Sequence, residues 1–295
     1  MIDFHIGVDG GGTGTRVRLA DAAGIELAQA SGGPSGLALG IGRAWATIED
    51  TIARAFRAAG MAPAPRWRVA LGLGLAGVHN REWAAEFRAL DPGYGAVVLE
   101  TDAYTTLLGA HGGRPGAIVA IGTGSVGEAL YPDGTRREAG GWSFPSGDEG
   151  SGAWIGLRAV GHAQMALDGR RPADPFAASV IDACGGNRAA LIVWVGDATP
   201  AAYASLAPLV LQHAAHPVAR AILVEAGHEI AALAAAVDPG GALPLAICGG
   251  LGRMLADWLP PALAARARAP EDDAAGGALR LVGTLLAPRD AEALP

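Results

Sequence analysis

Mostly apolar residues run from Phe4 to Val8 into Asp9 and Gly-Gly-Gly-Thr-Gly-Thr, and from Arg16 to Ala20 charged and apolar positions alternate again. This pattern predicts strand, tight bend, strand, and not the strand, loop, helix order of most glycine-rich nucleotide loops. A turn at Asp21-Ala22-Ala23-Gly24 leads to a third strand and then to a Gly- and Ser-rich loop from Ser31 to Gly36. Trp45, Ile48, Ile52, Ala55 and Phe56 fall at helical spacing, so residues 42–60 read as a helix stopped by Gly60 and Pro63. Arg66 to Leu75 and Ala96 to Leu99 read as strands, the second delivering Glu100-Thr101-Asp102 and a helix through Gly109.

The opening pattern then returns a little over a hundred residues later. Gly116 to Ile121 is an apolar strand, Gly122-Thr123-Gly124-Ser125 a glycine and hydroxyl bend, and Val126 to Tyr131 a second strand before a turn at Pro132-Asp133-Gly134. The recurrence reads as an internal structural repeat. Beyond it the chain is mostly alanine-rich helix, broken by a strand from Leu243 to Cys248 that runs into Gly249 and Gly250. A boundary falls between Gly109 and Pro115, giving an N-terminal lobe of 1–112 and a C-terminal lobe of 113–295. The last helix, from about Gly276, has either half open to it.

Composition narrows the function. Hydrophobic residues make up 51% of the 295 positions and charged ones 17%, as expected of an ordered, two-domain globule. A net charge of -7 argues against nucleic acid or an anionic membrane surface as partner. No apolar run reaches the ~18 residues of a membrane span, and the N-terminus lacks a basic region followed by an apolar one. With only Cys184 and Cys248 there is no disulfide framework, so the cytoplasm is the expected compartment. All 22 basic residues are arginine. A phosphate-gripping lysine, a protein-kinase lysine and a Schiff base are therefore ruled out, and any phosphate must be held by backbone amides, hydroxyls and a metal.

Consecutive glycines let backbone N–H groups converge on an anion. On this reading Gly10, Gly11, Gly12, Thr13 and Thr15 form one phosphate loop and Gly122, Thr123, Gly124 and Ser125 a second, while Gly249 and Gly250 seat the base or ribose. Asp9, at a strand end beside phosphate, makes sense with a bridging Mg²⁺, through water. Taken alone, either glycine bend could equally be a hairpin that needs positive φ, and Asp102 a helix N-cap. His213 and His216 stand three apart with no further ligand nearby in sequence, which reads as a solvated helix end before Pro217.

These three motifs together resemble the two phosphate motifs and the adenosine motif of the superfamily uniting sugar kinases, heat-shock ATPases and actin. The resemblance implies an α/β fold of two duplicated ribonuclease-H-like lobes around a central cleft, binding ATP. In that fold the phosphate loop is the bend of a hairpin, which accounts for the strand after Thr15. GGWSFPSGDEGSGAWIG, from Gly140 to Gly156, and the late ICGGLGRMLADWLPP resemble the N-acetylglucosamine and bacterial glucosamine kinases of the BadF/BadG-type ATPase family. This implies a kinase acting on the 6-hydroxyl of an amino sugar, with Asp102 as general base. Gly141, Trp142 and Asp148 would lie at the sugar, with Asp148 favoured over Glu149, and the enzyme would be a homodimer. For Trp142 a core position stays equally open. The loop Gly33-Pro34-Ser35-Gly36-Leu37 lacks the asparagine that relatives often place on the sugar. Two rivals within the fold are an ATPase activator of a dehydratase or reductase, which needs cysteines for an iron–sulfur cluster, and a non-catalytic sugar sensor.

Overall fold

A computed structural model describes residues 1–286. They form two compact units, one of Met1–Arg114 with the stretch beginning at Pro270, the other of Pro115–Ala269.

The first unit is built on a five-stranded sheet: β1 (Phe4–Gly10), β2 (Thr15–Asp21), β3 (Glu26–Gly32), β4 (Val69–Leu75) and β5 (Ala96–Glu100), in the order β3-β2-β1-β4-β5. β1 to β3 are antiparallel neighbours, and β4 and β5 continue parallel to β1. One face is covered by α1 (Ile41–Ala58), whose buried Ile41, Ala44, Trp45, Ile48, Ile52, Ala55 and Phe56 make a single stripe. The Trp45 ring stacks on Phe87 of α2 (Arg81–Ala89) at 4.2 Å and its Nε1–H donates to the Phe87 carbonyl at 2.9 Å. α3 (Asp102–Ala110) lies behind the opposite face.

The second unit repeats the plan: β6 (Gly116–Ile121), β7 (Ser125–Leu130), β8 (Arg136–Gly140), β9 (Leu245–Cys248) and β10 (Ala267–Arg268), in the order β10-β9-β6-β7-β8. Read from its other edge this is the first sheet again, three antiparallel strands followed by two parallel ones. Its helices are α4 (Gly152–Leu167), α5 (Pro175–Ala183), α6 (Arg188–Asp197), α7 (Pro200–Ala204), α8 (Ala207–Gln212), α9 (Pro217–Val237), α10 (Gly250–Met254) and α11 (Pro261–Arg266). Each unit is a ribonuclease-H-like lobe, and the duplication expected from the repeated strand–bend–strand pattern is present in both sheets.

The second unit ends at Ala269 and does not run on to the end of the chain. α12 (Ala274–Leu286) returns to the first sheet, where glycines allow backbone to touch backbone. A Cβ on Gly7 would lie 2.1 Å from the Ala275 carbonyl oxygen, one on Gly72 1.9 Å from that of Ala278, and one on Gly277 1.9 Å from that of Thr105 in α3.

Candidate functional site

In the first unit the bend between β1 and β2 is anchored on all sides. The Gly11 N–H donates to the Gly14 carbonyl at 3.0 Å, Ser35 and Gly36 donate to Gly11, and Ala76 donates to Gly10. The outer bend stays open: a Cβ on Gly11 or Gly12 would meet nothing within 4 Å, and Gly12 and Thr13 are exposed. Glycine is thus not required there by the protein's own packing, and the space is left for a ligand to approach the backbone.

Thr15 departs from the sequence expectation of a phosphate donor. It is 2% exposed, and its Oγ1 lies 2.7 Å from the Gly33 carbonyl and 2.6 Å from Ser35 Oγ. A carbonyl only accepts, so Thr15 gives its single proton to Gly33 and accepts from Ser35. The hydroxyl braces the bend against the 33–36 loop. Ser35, fully buried, holds the bend through Thr15 and Gly11 and carries no local sequence signal.

Asp9, the penultimate residue of β1, lies on the sheet face shared with Arg16 and Arg18. Its carboxyl is pushed up to about 6, chiefly by burial and then by the charge of Asp102, with Arg16 opposing and Asp273 adding to the rise. Arg16 stands 3.8 Å away and is itself well exposed, so it offsets little. Asp102 occupies the first turn of α3, half-buried; the residue that caps the helix is Thr101, whose hydroxyl accepts from the Tyr104 N–H at 3.1 Å. The capping alternative for Asp102 therefore falls to its neighbour. Asp273, ahead of α12, was not singled out in the sequence. It pairs with Arg18 at 3.0 Å and caps α12 through the Gly276 N–H. Asp273 is thus engaged by Arg18 and the helix cap, while Asp9 and Asp102, close enough for the charge of one to raise the carboxyl of the other, offer the hard oxygen donors that suit Mg²⁺.

The second unit carries the matching bend. The Gly122 N–H donates to the Gly124 carbonyl at 2.9 Å, just as Gly11 does to Gly14. The start of α4 then stitches the bend down: Gly152 donates to the Gly122 carbonyl at 2.9 Å and Ala153 to that of Thr123 at 3.1 Å. Ser151, fully buried, caps this helix through the Trp154 N–H. Gly122 is exposed and open around its Cβ position, like Gly11 and Gly12. Ser125 is the counterpart of Thr15 and calls for the same correction. It is 4% exposed and its hydroxyl donates to the Glu149 carbonyl at 2.7 Å, so it holds the bend and has no proton left for phosphate.

The structure brings Asp148 and Gly141 to this bend. Asp148 Oδ1 accepts from the Ser125 N–H at 3.2 Å, and a Cβ on Gly124 would come 2.8 Å from that carboxylate. Burial pushes the Asp148 carboxyl up, while the Ser125 and Phe144 amides pull it back and Glu149 adds to the rise. Gly141 donates to the Ser125 carbonyl at 3.1 Å. Trp142 is 80% exposed, which removes the core alternative. Gly249 follows β9 with φ 87°, and a Cβ there would lie 2.2 Å from the Ile121 carbonyl oxygen, so β9 delivers the third glycine motif against the strand that feeds the second bend. Gly250, by contrast, is open.

A model of the BadF/BadG/BcrA/BcrD ATPase family matches residues 6–243, a span that takes in both bends, Asp102 and Asp148. The chain belongs to this family. A glucosamine kinase of Vibrio cholerae is 33% identical over 285 residues, 96% of either chain. An N-acetyl-D-glucosamine kinase of Dictyostelium discoideum is 27% identical over 248 residues, 77% of either chain. Among solved structures, a provisionally named N-acetylglucosamine kinase of Chromobacterium violaceum superposes with a TM-score of 0.94 at 56% identity, covering 95% of this chain and 99% of that one. Within this ATPase family the activator reading requires thiolates at a shared surface; Cys184 and Cys248 are 1% and 5% exposed, and burial pushes the Cys248 thiol up to about 12.

Proposed function

We propose that the chain is an ATP-dependent kinase that phosphorylates the 6-hydroxyl of an amino sugar, glucosamine or N-acetylglucosamine. The observation that carries this is Asp102 at the first turn of α3, close enough to Asp9 for its charge to raise that carboxyl. Phosphoryl transfer is mainly positioning and charge neutralisation, with a carboxylate accepting the proton of the attacking hydroxyl. Asp102 would take that proton. Asp9 would hold Mg²⁺ through water, and the cation would supply charge neutralisation at the phosphates in a chain that has no lysine. The bend of Gly10 to Thr13, open at Gly11 and Gly12, and that of Gly122 to Gly124, open at Gly122, would each hold phosphate, and Gly249-Gly250 would take the nucleoside. Support for the amino sugar comes from the kinases of Vibrio cholerae and Dictyostelium discoideum described above. Gly141, Trp142 and Asp148 are assigned to the sugar, Trp142 offering an exposed aromatic face to ring C–H groups.

Phosphorus and carbon NMR of the product tests the regiochemistry. Incubation with Mg-ATP and either sugar is expected to give a phosphomonoester coupled to C6. A 1-phosphate, or ATP consumption with no sugar ester, would refute the assignment.

A further inference from the structure

The sequence pairs His213 with His216, but the fold separates them. His213 turns its Nε2 to Ser179 Oγ at 3.0 Å. His216 instead meets His162 of α4 and Asp174, the residue before α5: His162 Nε2 lies 2.8 Å from Asp174 Oδ2 and His216 Nε2 3.4 Å from Oδ1. All three potential ligand atoms lie within 4.8 Å of one another, all inside the second unit. From this geometry we infer that His162, His216 and Asp174 form a binding site for one divalent transition-metal ion, with Zn²⁺ the best-suited probe.

Two neutral imidazoles and one carboxylate are a donor set for borderline metals, leaving a fourth position to water. Tetrahedral bonds of about 2.0–2.1 Å put ligand atoms roughly 3.3 Å apart. The nitrogen–oxygen separations, 2.8 Å to Oδ2 and 3.4 Å to Oδ1, lie close to that spacing, and an ion would draw the three ligand atoms, now within 4.8 Å of one another, together on itself. Phe176 walls the cluster, its ring centroid 5.4 Å from that of His162 and 5.5 Å from that of His216. His162 is 6% exposed, whereas Asp174 and His216 are half-buried and give access from solvent.

Without metal the same groups satisfy one another. A carboxylate only accepts, so His162 donates from Nε2 to Asp174, which also caps α5 by accepting from the Ala177 N–H at 2.8 Å. His216 caps α9, its Nδ1 accepting from the Val218 N–H at 3.3 Å, which places its proton on Nε2. Metal binding moves each ring proton from Nε2 to Nδ1, with no net release, and returns the Val218 N–H to solvent at the first helical turn, where such donors have no helical partner anyway. The cation would tie α4, α5 and α9 together, a role independent of the kinase reading.

The test is titration of chelator-treated full-length protein with Zn²⁺ by calorimetry and with Co²⁺ by visible absorption, in excess Mg²⁺ so that oxygen sites are filled. Expected is one saturable ion per chain with the d–d bands of a four- or five-coordinate Co²⁺. Affinity should fall at least tenfold in both His216→Ala and Asp174→Asn, the latter keeping a capping oxygen, and stay within twofold in His213→Ala. Absence of one-ion binding, less than tenfold weakening in either of the first two variants, or an equal loss in His213→Ala would overturn the site.

Discussion

Asp9 and Thr15 lie six positions apart in one motif, and the fold gives them opposite characters. Asp9 is held in tension: its folded proton affinity exceeds its unfolded one, so its ionisation opposes folding. The sign follows from linkage. Stability falls as pH rises from the unfolded value of 3.8 through about 6, and the deficit persists at higher pH. Asp9→Asn is therefore expected to stabilise the protein without divalent cation at pH 8, by roughly 3 kcal/mol from about two pKa steps, while abolishing activity. Thermal melts of both proteins at pH 8 and pH 4 check this; the gain should vanish at the lower pH. The positions of Asp9 and Asp102 were legible because each lies at the end of a strand or just after one. Thr15 and Ser125 were misread because the atoms that use their hydroxyls lie 18, 20 and 24 residues away and leave no local pattern.

At the scale of elements, periodicity located β1, β2, β4 to β7, β9 and most of α1 to within a few residues, because burial on one face imposes a period and glycine marks its end. It left α2 and β8 unassigned, the first short and the second exposed at a sheet edge with almost no apolar signal. α12 is a harder case. Gly276, Gly277 and Gly283 are poor helix formers, and the helix holds because its small residues seat the backbone against β1, β4 and α3. The same contact predicts an intolerant position. Gly72→Ala drives a methyl into the Ala278 carbonyl and should cost about 1–3 kcal/mol, whereas Gly24→Ala or Gly60→Ala strains only a surface turn. Urea denaturation compares them.

At the scale of the molecule, the two sheets repeat one order, and the repeat was visible as two strand–bend–strand motifs. The ownership of α12 was not, since nothing local to residues 274–286 names the sheet they cover. Because the first unit is closed by a distant segment and the second is contiguous, truncation after Ala269 should unfold the first unit and spare the second. Hydrogen exchange is expected to show protection kept in α4, α9 and β6 and lost in β1, β4 and α3; uniform loss or uniform retention would contradict that division. The central claim is that Asp102 accepts a proton from a sugar hydroxyl during phosphoryl transfer. Its most direct test is ADP release from Mg-ATP with glucosamine, N-acetylglucosamine, glucose or no sugar, in wild type and Asp102→Asn. Turnover that requires an amino sugar and falls by about 10²–10⁴ in the variant is the predicted result. ADP release at the same rate without sugar, or full sugar-dependent turnover by Asp102→Asn, would contradict it.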